Sequence, residues 1–362
     1  MMGFMKRVLL VSPYPYTPTN RGMDLLTLAF ENAGWETHHL IFPNVFYTVK
    51  KKKTFQTQVV ELKAKKTLIP YVDSLMKRLP SWVFQWILQH HKKAVRHINF
   101  AQYDAVVLES GKPLFLQDLI PAGCQKIYRQ SDSVRLVLGK NPDYIALEDK
   151  MIAQSDHVLV VKERFRDSIP QVHQDKVHLI INGFSFPANH DYPNPYPPGS
   201  KNAIYVGLTD LDAECILETC KKNPDITFHF FGAGLKRIKR QIKGLPNLMN
   251  HGFTSMAEHL PYLTHATLYV FPFQRNELMS LVGLTSKFYM AMRCQLPIVC
   301  YRMEPAEEFK NLPVDFCDSP QEFAETVFQV AQKPTPREYP LPWKKLSRES
   351  RLKEYTDFIH LL

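Results

Sequence analysis

The feature that most constrains this chain is an alternation. Short apolar runs rich in β-branched residues recur between stretches with helical spacing, and the pattern runs once, stops, and starts again. Residues 7–11 form the first run, Leu25, Leu26, Leu28, Ala29 and Phe30 give residues 23–33 a helical spacing, and Gly34 ends that helix. Residues 36–42, 104–109, 126–129, 157–161 and 177–181 read as further strands, with helical stretches between most of them. Such runs mark strands buried on both faces, so the pattern predicts an α/β fold with a doubly wound parallel sheet covered by helices.

The interruption is a proline run. Pro187, Pro193, Pro195, Pro197 and Pro198, followed by Gly199-Ser200, can continue neither helix nor sheet, because proline lacks the backbone donor and fixes φ. Residues 203–206, 227–231, 267–271 and 297–300 then read as strands of a second sheet. The expected organisation is a first α/β domain over 1–186, a linker over 187–200, a second α/β domain over 201–342, and a helix over 343–362 returning to the first domain. Two such halves on a hinge suit an enzyme with a central cleft. Ligands of open α/β sheets sit beyond the carboxyl ends of the strands, so the residues just after each strand are the ones to examine.

Charge is distributed unevenly. Between residues 46 and 100 ten lysines and two arginines face only Glu61 and Asp73, which accounts for the whole formal excess of +10. Within this stretch residues 82–88 carry Trp82 and Trp86, flanked by Lys77, Arg78, Lys92 and Lys93. Rings with basic flanks suit an anionic lipid surface, where lysines meet headgroups and rings enter the acyl boundary. No RNA- or DNA-binding motif accompanies the patch, so no nucleic-acid partner is expected. The six cysteines form no Cys-x-x-Cys pair and read as reduced thiols of a cytoplasmic protein. Residues 8–11 are too short an apolar run for a secretory leader, and no run approaches the ~20 residues of a membrane span. Contact with a membrane is expected; crossing it is not.

In the second half, Gly207 follows the first strand and Gly232-Ala-Gly234 the second, where missing side chains let backbone amides approach a nucleotide, although simple turn glycines would look the same. Thr285 or Ser286 is placed to cap a helix, and Lys287 in its first turn runs against the dipole preference for acids there, which a phosphate bound beside it would explain. In the first half, Glu109 and Asp132 fall at strand ends. Either carboxylate could take a proton from an attacking hydroxyl; capping is the alternative for Asp132, and an ion pair for Glu109, with Arg129 nearby. Asp210-Leu-Asp212 opens a helix, so capping explains it and no metal is expected. There is no Gly-x-Ser-x-Gly elbow, Walker loop or full dinucleotide fingerprint.

The order of these motifs resembles the xanthan-assembly glucuronosyltransferases of the GumK type, inverting enzymes of GT-B architecture that act on a polyprenyl-diphosphate-linked oligosaccharide. The likeness is carried by Asp-Ala-Val-Val-Leu-Glu-Ser-Gly111, Tyr-Arg-Gln-Ser-Asp132 and Asn182-Gly183, then more weakly by Val206-Gly207, residues 228–234 and Ser286-Lys287. It implies two Rossmann-like domains, Asp132 as catalytic base, and Ser286 and Lys287 on the donor diphosphate. Leu208, Thr209, Phe253, Thr254 and Phe273 would lie along the nucleotide with Gly207, Gly232 and Gly234, and Glu109 and Arg129 beside the acceptor or in its support. Met290 stands where the family has a glutamine, Phe273 where it has a tyrosine, and Phe253-Thr254 where it has an acidic-methionine pair. Apolar replacements of hydrogen-bonding residues change what a buried site accepts.

The implied function is transfer of glucuronic acid or another hexose from a UDP-sugar to a lipid-linked glycan, without metal or cofactor, at the inner face of the plasma membrane. Large retaining GT-B enzymes carry Glu-x7-Glu at the donor site; here Glu277 is followed eight positions later by Thr285, which favours inversion. The alternatives are a retaining transferase using Glu277 with a soluble acceptor, a non-catalytic binder of the same fold, and a nicotinamide oxidoreductase.

Overall fold

The computed structural model describes residues 5–17, 21–44, 57–67, 79–132, 134, 141–182, 184, 191–274, 283–301 and 307–362. The chain forms two compact units, Met1–Ser185 with Trp343–Leu362, and Phe186–Pro342. In the first unit the strands are β1 (Arg7–Ser12), β2 (Glu36–Ile41), β3 (Val60–Lys63), β4 (Ala105–Glu109), β5 (Gln125–Gln130), β6 (His157–Val160) and β7 (Val177–Leu179). They stand in the order β3-β2-β1-β4-β5-β6-β7, all parallel. Helices α1 (Gly22–Asn32), α2 (Ser81–Lys93), α3 (Pro142–Gln154) and α4 (Glu163–Ser168) accompany them.

Strand periodicity sorts the side chains into two buried layers. Val8, Leu10, Ala105, Val107, Ile127 and Leu159 point to one face and pack with Leu26, Ala29 and Phe30 of α1. Leu9, Val11, Val106, Leu108, Tyr128 and Val158 point to the other, against Phe84 and Leu88 of α2 and Met151 of α3. Each large apolar side chain so buried contributes roughly 1.5–3 kcal/mol, which is why the runs tolerate so few polar residues.

The second unit repeats the plan with β8 (Lys201–Val206), β9 (Ile226–Phe231), β10 (Leu248–Gly252), β11 (Leu268–Pro272), β12 (Ile298–Tyr301) and β13 (Val314–Cys317), ordered β10-β9-β8-β11-β12-β13 and parallel throughout. Its helices are α5 (Ala213–Lys222), α6 (Met256–His265), α7 (Ser286–Arg293) and α8 (Pro320–Gln332). Asp212 caps α5 by accepting the Cys215 N–H at 2.9 Å, as its place before a helix predicts. Thr285 occupies the cap position of α7 but makes no side-chain cap bond, contrary to expectation. The chain ends with α9 (Trp343–Leu346) and α10 (Arg348–Ile359), whose Tyr355, Phe358 and Ile359 join the α1 layer of the first unit. In each sheet the strand order reverses beside the first strand, between β1 and β4 and between β8 and β11, the points where such sheets open a crevice for ligand.

Among the described residues no helix is long and apolar enough to cross a membrane. Nor does any group of three or more His, Cys, Asp or Glu converge as metal ligands among them. The core does hold an unusual ring. His91 on α2 is fully buried, its two nitrogens have no hydrogen-bond partner among the described residues, and it packs with Phe42 and Phe115. Burial pushes its pKa from 6.5 down to about 4. The unfolded chain therefore takes up a proton below pH ~6.5 that the folded chain refuses, and stability falls as pH drops from there towards ~4. His91→Leu should therefore gain more stability at pH 5 than at pH 7.5, read from urea midpoints. An equal change at both pH values would remove the buried imidazole as the cause.

Candidate functional site

The second unit gathers its site at the ends of β8 and β9. The Tyr269 hydroxyl fixes the end of β8, accepting the Val206 N–H at 2.8 Å and donating to the Val206 carbonyl at 3.0 Å. Gly207 follows. A Cβ there would stand 2.4 Å from the Tyr205 hydroxyl and 2.9 Å from Lys287 Nζ, so the missing side chain lets a phenol and an ammonium converge on the backbone. Gly232 is required twice over: its φ is +103°, and a Cβ would lie 2.0 Å from the Gly207 carbonyl oxygen. At Gly234 a Cβ would meet the Leu211 side chain at 2.9 Å. The three glycines thus let the loops after β8 and β9 close on each other beside the lysine.

Helix α7 aims that lysine. Phe288 stacks on Phe271 of β11 with centroids 4.0 Å apart, and Phe288, Tyr289, Met290, Ala291 and Met292 are buried, which turns Lys287 towards Thr209. Nζ donates to Thr209 Oγ1 at 3.4 Å, and the lysine makes no ion pair among the described residues. Burial pulls its pKa below 10.5, and no carboxylate among the described residues holds it up. A half-covered cation whose partner among the described residues is neutral is a poor structural element and a good half of an anion site. Ser286 beside it is exposed.

Leu208 and Phe253 are 62% and 76% exposed, open to a ligand at the strand ends. Thr254 shares a 3.4 Å hydrogen bond with His259. The Phe273 ring is buried against Phe271 and Tyr205. Asp210 pairs with Arg237 while Asp212 caps α5, so neither carboxylate stands idle.

In the first unit, Glu109 and Arg129 are sealed beneath the strand ends. Arg129 Nη1 donates to Glu109 Oε1 at 3.2 Å, Nη2 to Asn182 at 3.0 Å, and Nε to the Tyr355 hydroxyl at 3.4 Å, while Ser12 donates to Glu109 Oε2 at 2.6 Å. A Cβ on Gly22 would strike Arg129 Nη2 at 1.9 Å, so α1 packs straight onto the guanidinium. At 5% and 1% exposure these two side chains do not meet an acceptor directly; they brace β4, β5, the segment after β7 and α10.

Asp132 lies above this brace and is exposed. Its N–H donates to Ser110 Oγ at 3.0 Å, Ser110 Oγ bonds Ser131 Oγ at 2.9 Å, and its carboxylate makes no hydrogen bond among the described residues. Neighbouring protein still desolvates the carboxyl enough to raise its pKa, with Lys162 opposing, Glu109 reinforcing and Arg129 opposing more weakly. A raised carboxylate with open lone pairs is suited to accept a proton. Ser110, Lys162, Glu148 and Tyr205 were not singled out from sequence. Ser110 stood inside a quoted motif, but the others read as ordinary helix, strand-end and core residues.

On α2, Phe84, Ile87, Leu88 and His91 face inward, and Trp82 and Trp86 are 75% and 59% exposed one turn apart. Lys93 is exposed. Lys92 does not share that face: its ammonium is mostly covered and bound to Asp118 at 2.8 Å. Lys77, Arg78 and Glu277 lie outside the described residues.

Two family models match the chain: the N-terminal domain of the glucuronosyltransferase GumK over residues 22–161, and glycosyl transferases group 1 over residues 207–333. A UDP-glucuronate:glycolipid 2-beta-glucuronosyltransferase of Xanthomonas campestris pv. campestris is 24% identical over 235 residues, 63% of this chain and 56% of that enzyme. The match therefore spans little more than half of that relative. Among solved structures, Anabaena HepE in complex with UDP-glucose superposes with a TM-score of 0.65 at 12% identity, covering 98% of this chain and 100% of that one. Sucrose-phosphate synthase from Thermosynechococcus elongatus gives 0.62 at 14% identity, covering 97% and 94%. At such identities the likeness is one of fold, and the fold is GT-B.

Proposed function

We propose that this chain, whose two halves match the GumK N-terminal domain and the group 1 glycosyl transferases, is a GumK-like glycosyltransferase that moves a hexose, glucuronic acid or another, from a UDP-sugar to a lipid-linked oligosaccharide with inversion. The observation that carries this reading is Lys287: a desolvated ammonium with no acidic partner among the described residues, beside Thr209 and Gly207 and next to the strand-order reversal of the second sheet. A diphosphate is the counter-charge such a site calls for, with the first amides of α7 as further donors. Leu208 and Phe253 offer exposed apolar contact to the rest of the nucleotide.

In this reading Asp132 removes the proton from the acceptor hydroxyl. The oxygen attacks the anomeric carbon from the face opposite the diphosphate, the carbon–oxygen bond to the diphosphate breaks, and the electron pair leaves with UDP. Lys287 and the α7 amides stabilise the charge growing on that group, in place of a metal. The commitment of Asp210 to Arg237 and of Asp212 to α5 supports the metal-free course.

Trp82, Trp86 and Lys93 support a membrane-borne acceptor, since exposed indoles beside a cation suit the headgroup boundary. In this reading the enzyme works on the cytoplasmic face of the plasma membrane, in polysaccharide assembly.

Thermal stabilisation against a nucleotide panel tests the donor: UDP and one or more UDP-sugars should raise Tm, and NAD should not. Flotation with anionic vesicles tests the acceptor side. The wild type should float and the Trp82→Ala/Trp86→Ala double variant should stay in solution; a protein that never floats has a soluble acceptor.

A further inference from the structure

Ser131 and Asp132 form a bend directly after β5, and the chain there is tied on both sides of Asp132. Before Asp132, the Ser110 hydroxyl accepts its N–H at 3.0 Å. After it, Val134 N–H reaches Glu148 Oε1 at 2.9 Å. Glu148 comes from α3, is 2% exposed, and receives at the same oxygen the Tyr128 hydroxyl at 2.6 Å and the Gln130 amide at 3.0 Å. One buried carboxylate therefore joins two β5 side chains that precede Asp132 to the backbone that follows it. Burying a carboxylate is costly unless its lone pairs are filled, and here the filling is done by the very segment that presents the base.

We propose that Glu148 is a positioning residue for Asp132, with Ser110 as its counterpart on the other side, the two fixing where the base carboxylate stands. This rests on the reading of Asp132 as the base. A base displaced by about 1 Å can lose on the order of 10²-fold in rate, so the clamp acts on kcat and not on donor binding. Among the described residues the charged groups facing Asp132 are Lys162, Glu109 and Arg129. A loosened Asp132 gains water, so its raised pKa relaxes downward and the acid limb of the rate profile moves to lower pH.

The test compares Glu148→Gln, Glu148→Ala and Ser110→Ala, with Asp132→Asn in parallel, in the full-length protein. Expected are a kcat loss on the order of 10²-fold for Glu148→Ala, a smaller loss for Glu148→Gln, which keeps an acceptor oxygen, and an acid limb at lower pH for Ser110→Ala, with UDP affinity unchanged in all. Should Glu148→Ala fail to fold, Ser110→Ala and Glu148→Gln carry the test through kcat and the acid limb. Wild-type kcat and pH profile in the folded variants overturn the clamp while Asp132→Asn stays inactive. Transfer surviving in Asp132→Asn overturns the base itself.

Discussion

Asp132→Asn is expected to lower transfer by roughly 10²–10⁴-fold while UDP binds as tightly as to the wild type. The substitution is nearly isosteric, and the Asp132 contact seen, its backbone N–H on Ser110 Oγ, survives it. Asparagine also caps as well as aspartate, so a residue that only capped the following segment would show little change. What asparagine cannot do is accept a proton. The raised pKa adds a second signature: the wild-type rate should fall on the acid side at a pH above the ordinary aspartate value of 3.8, with that limb absent from the residual activity of the variant. Rate and UDP affinity are measured on the same preparation. Parallel loss of both would show that Asp132 holds the fold and not the proton.

The sequence exposed the interior of both sheets more clearly than their rims. β1, β4, β8 and β11 lie in the middle, buried on both faces, so burial forced apolar residues along most of each strand. β3, β10 and β13 were missed, and all three are edge strands. Val-Glu-Leu-Lys of β3 and Leu-Met-Asn-His-Gly of β10 are partly exposed, and an edge with polar side chains carries little apolar signal while guarding against pairing with other chains. The site shows a similar divide. Lys287 stands out in sequence because it puts a cation at a helix start, whereas the need for glycine at 232 shows only in its φ of +103°. Glu109 and Arg129 were equally visible, but a charge at a strand end does not reveal whether it faces solvent or is sealed under a helix such as α10. Only the packing of Gly22 and Tyr355 on the guanidinium decides that. Phe273 shows the same limit, a strand-end position whose apolar ring turned inward.

Lys287→Met should cost on the order of 2.7–4 kcal/mol of transition-state stabilisation, a loss of roughly 10²–10³-fold in kcat/KM. It should also weaken UDP binding while leaving uridine binding unaltered, because the ammonium is the counter-charge assigned to the diphosphate. The fold should not suffer. Lys287 is desolvated, it has Thr209 as its hydrogen-bond partner at 3.4 Å, and methionine fills a similar volume without a buried charge, so Tm in the absence of nucleotide should hold or rise. That opposition between a firmer apo-protein and a weaker UDP complex separates an anion site from a structural lysine, whose removal lowers both. The lowered pKa sharpens the test: UDP affinity of the wild type should decline at a pH below that of a free lysine, as the ammonium loses its proton, and Lys287→Arg should keep binding across that range because a guanidinium stays charged. Calorimetric titration of UDP between pH 7 and pH 10 on the three proteins reads all of this. A flat wild-type profile with unimpaired Lys287→Met binding would place the diphosphate elsewhere.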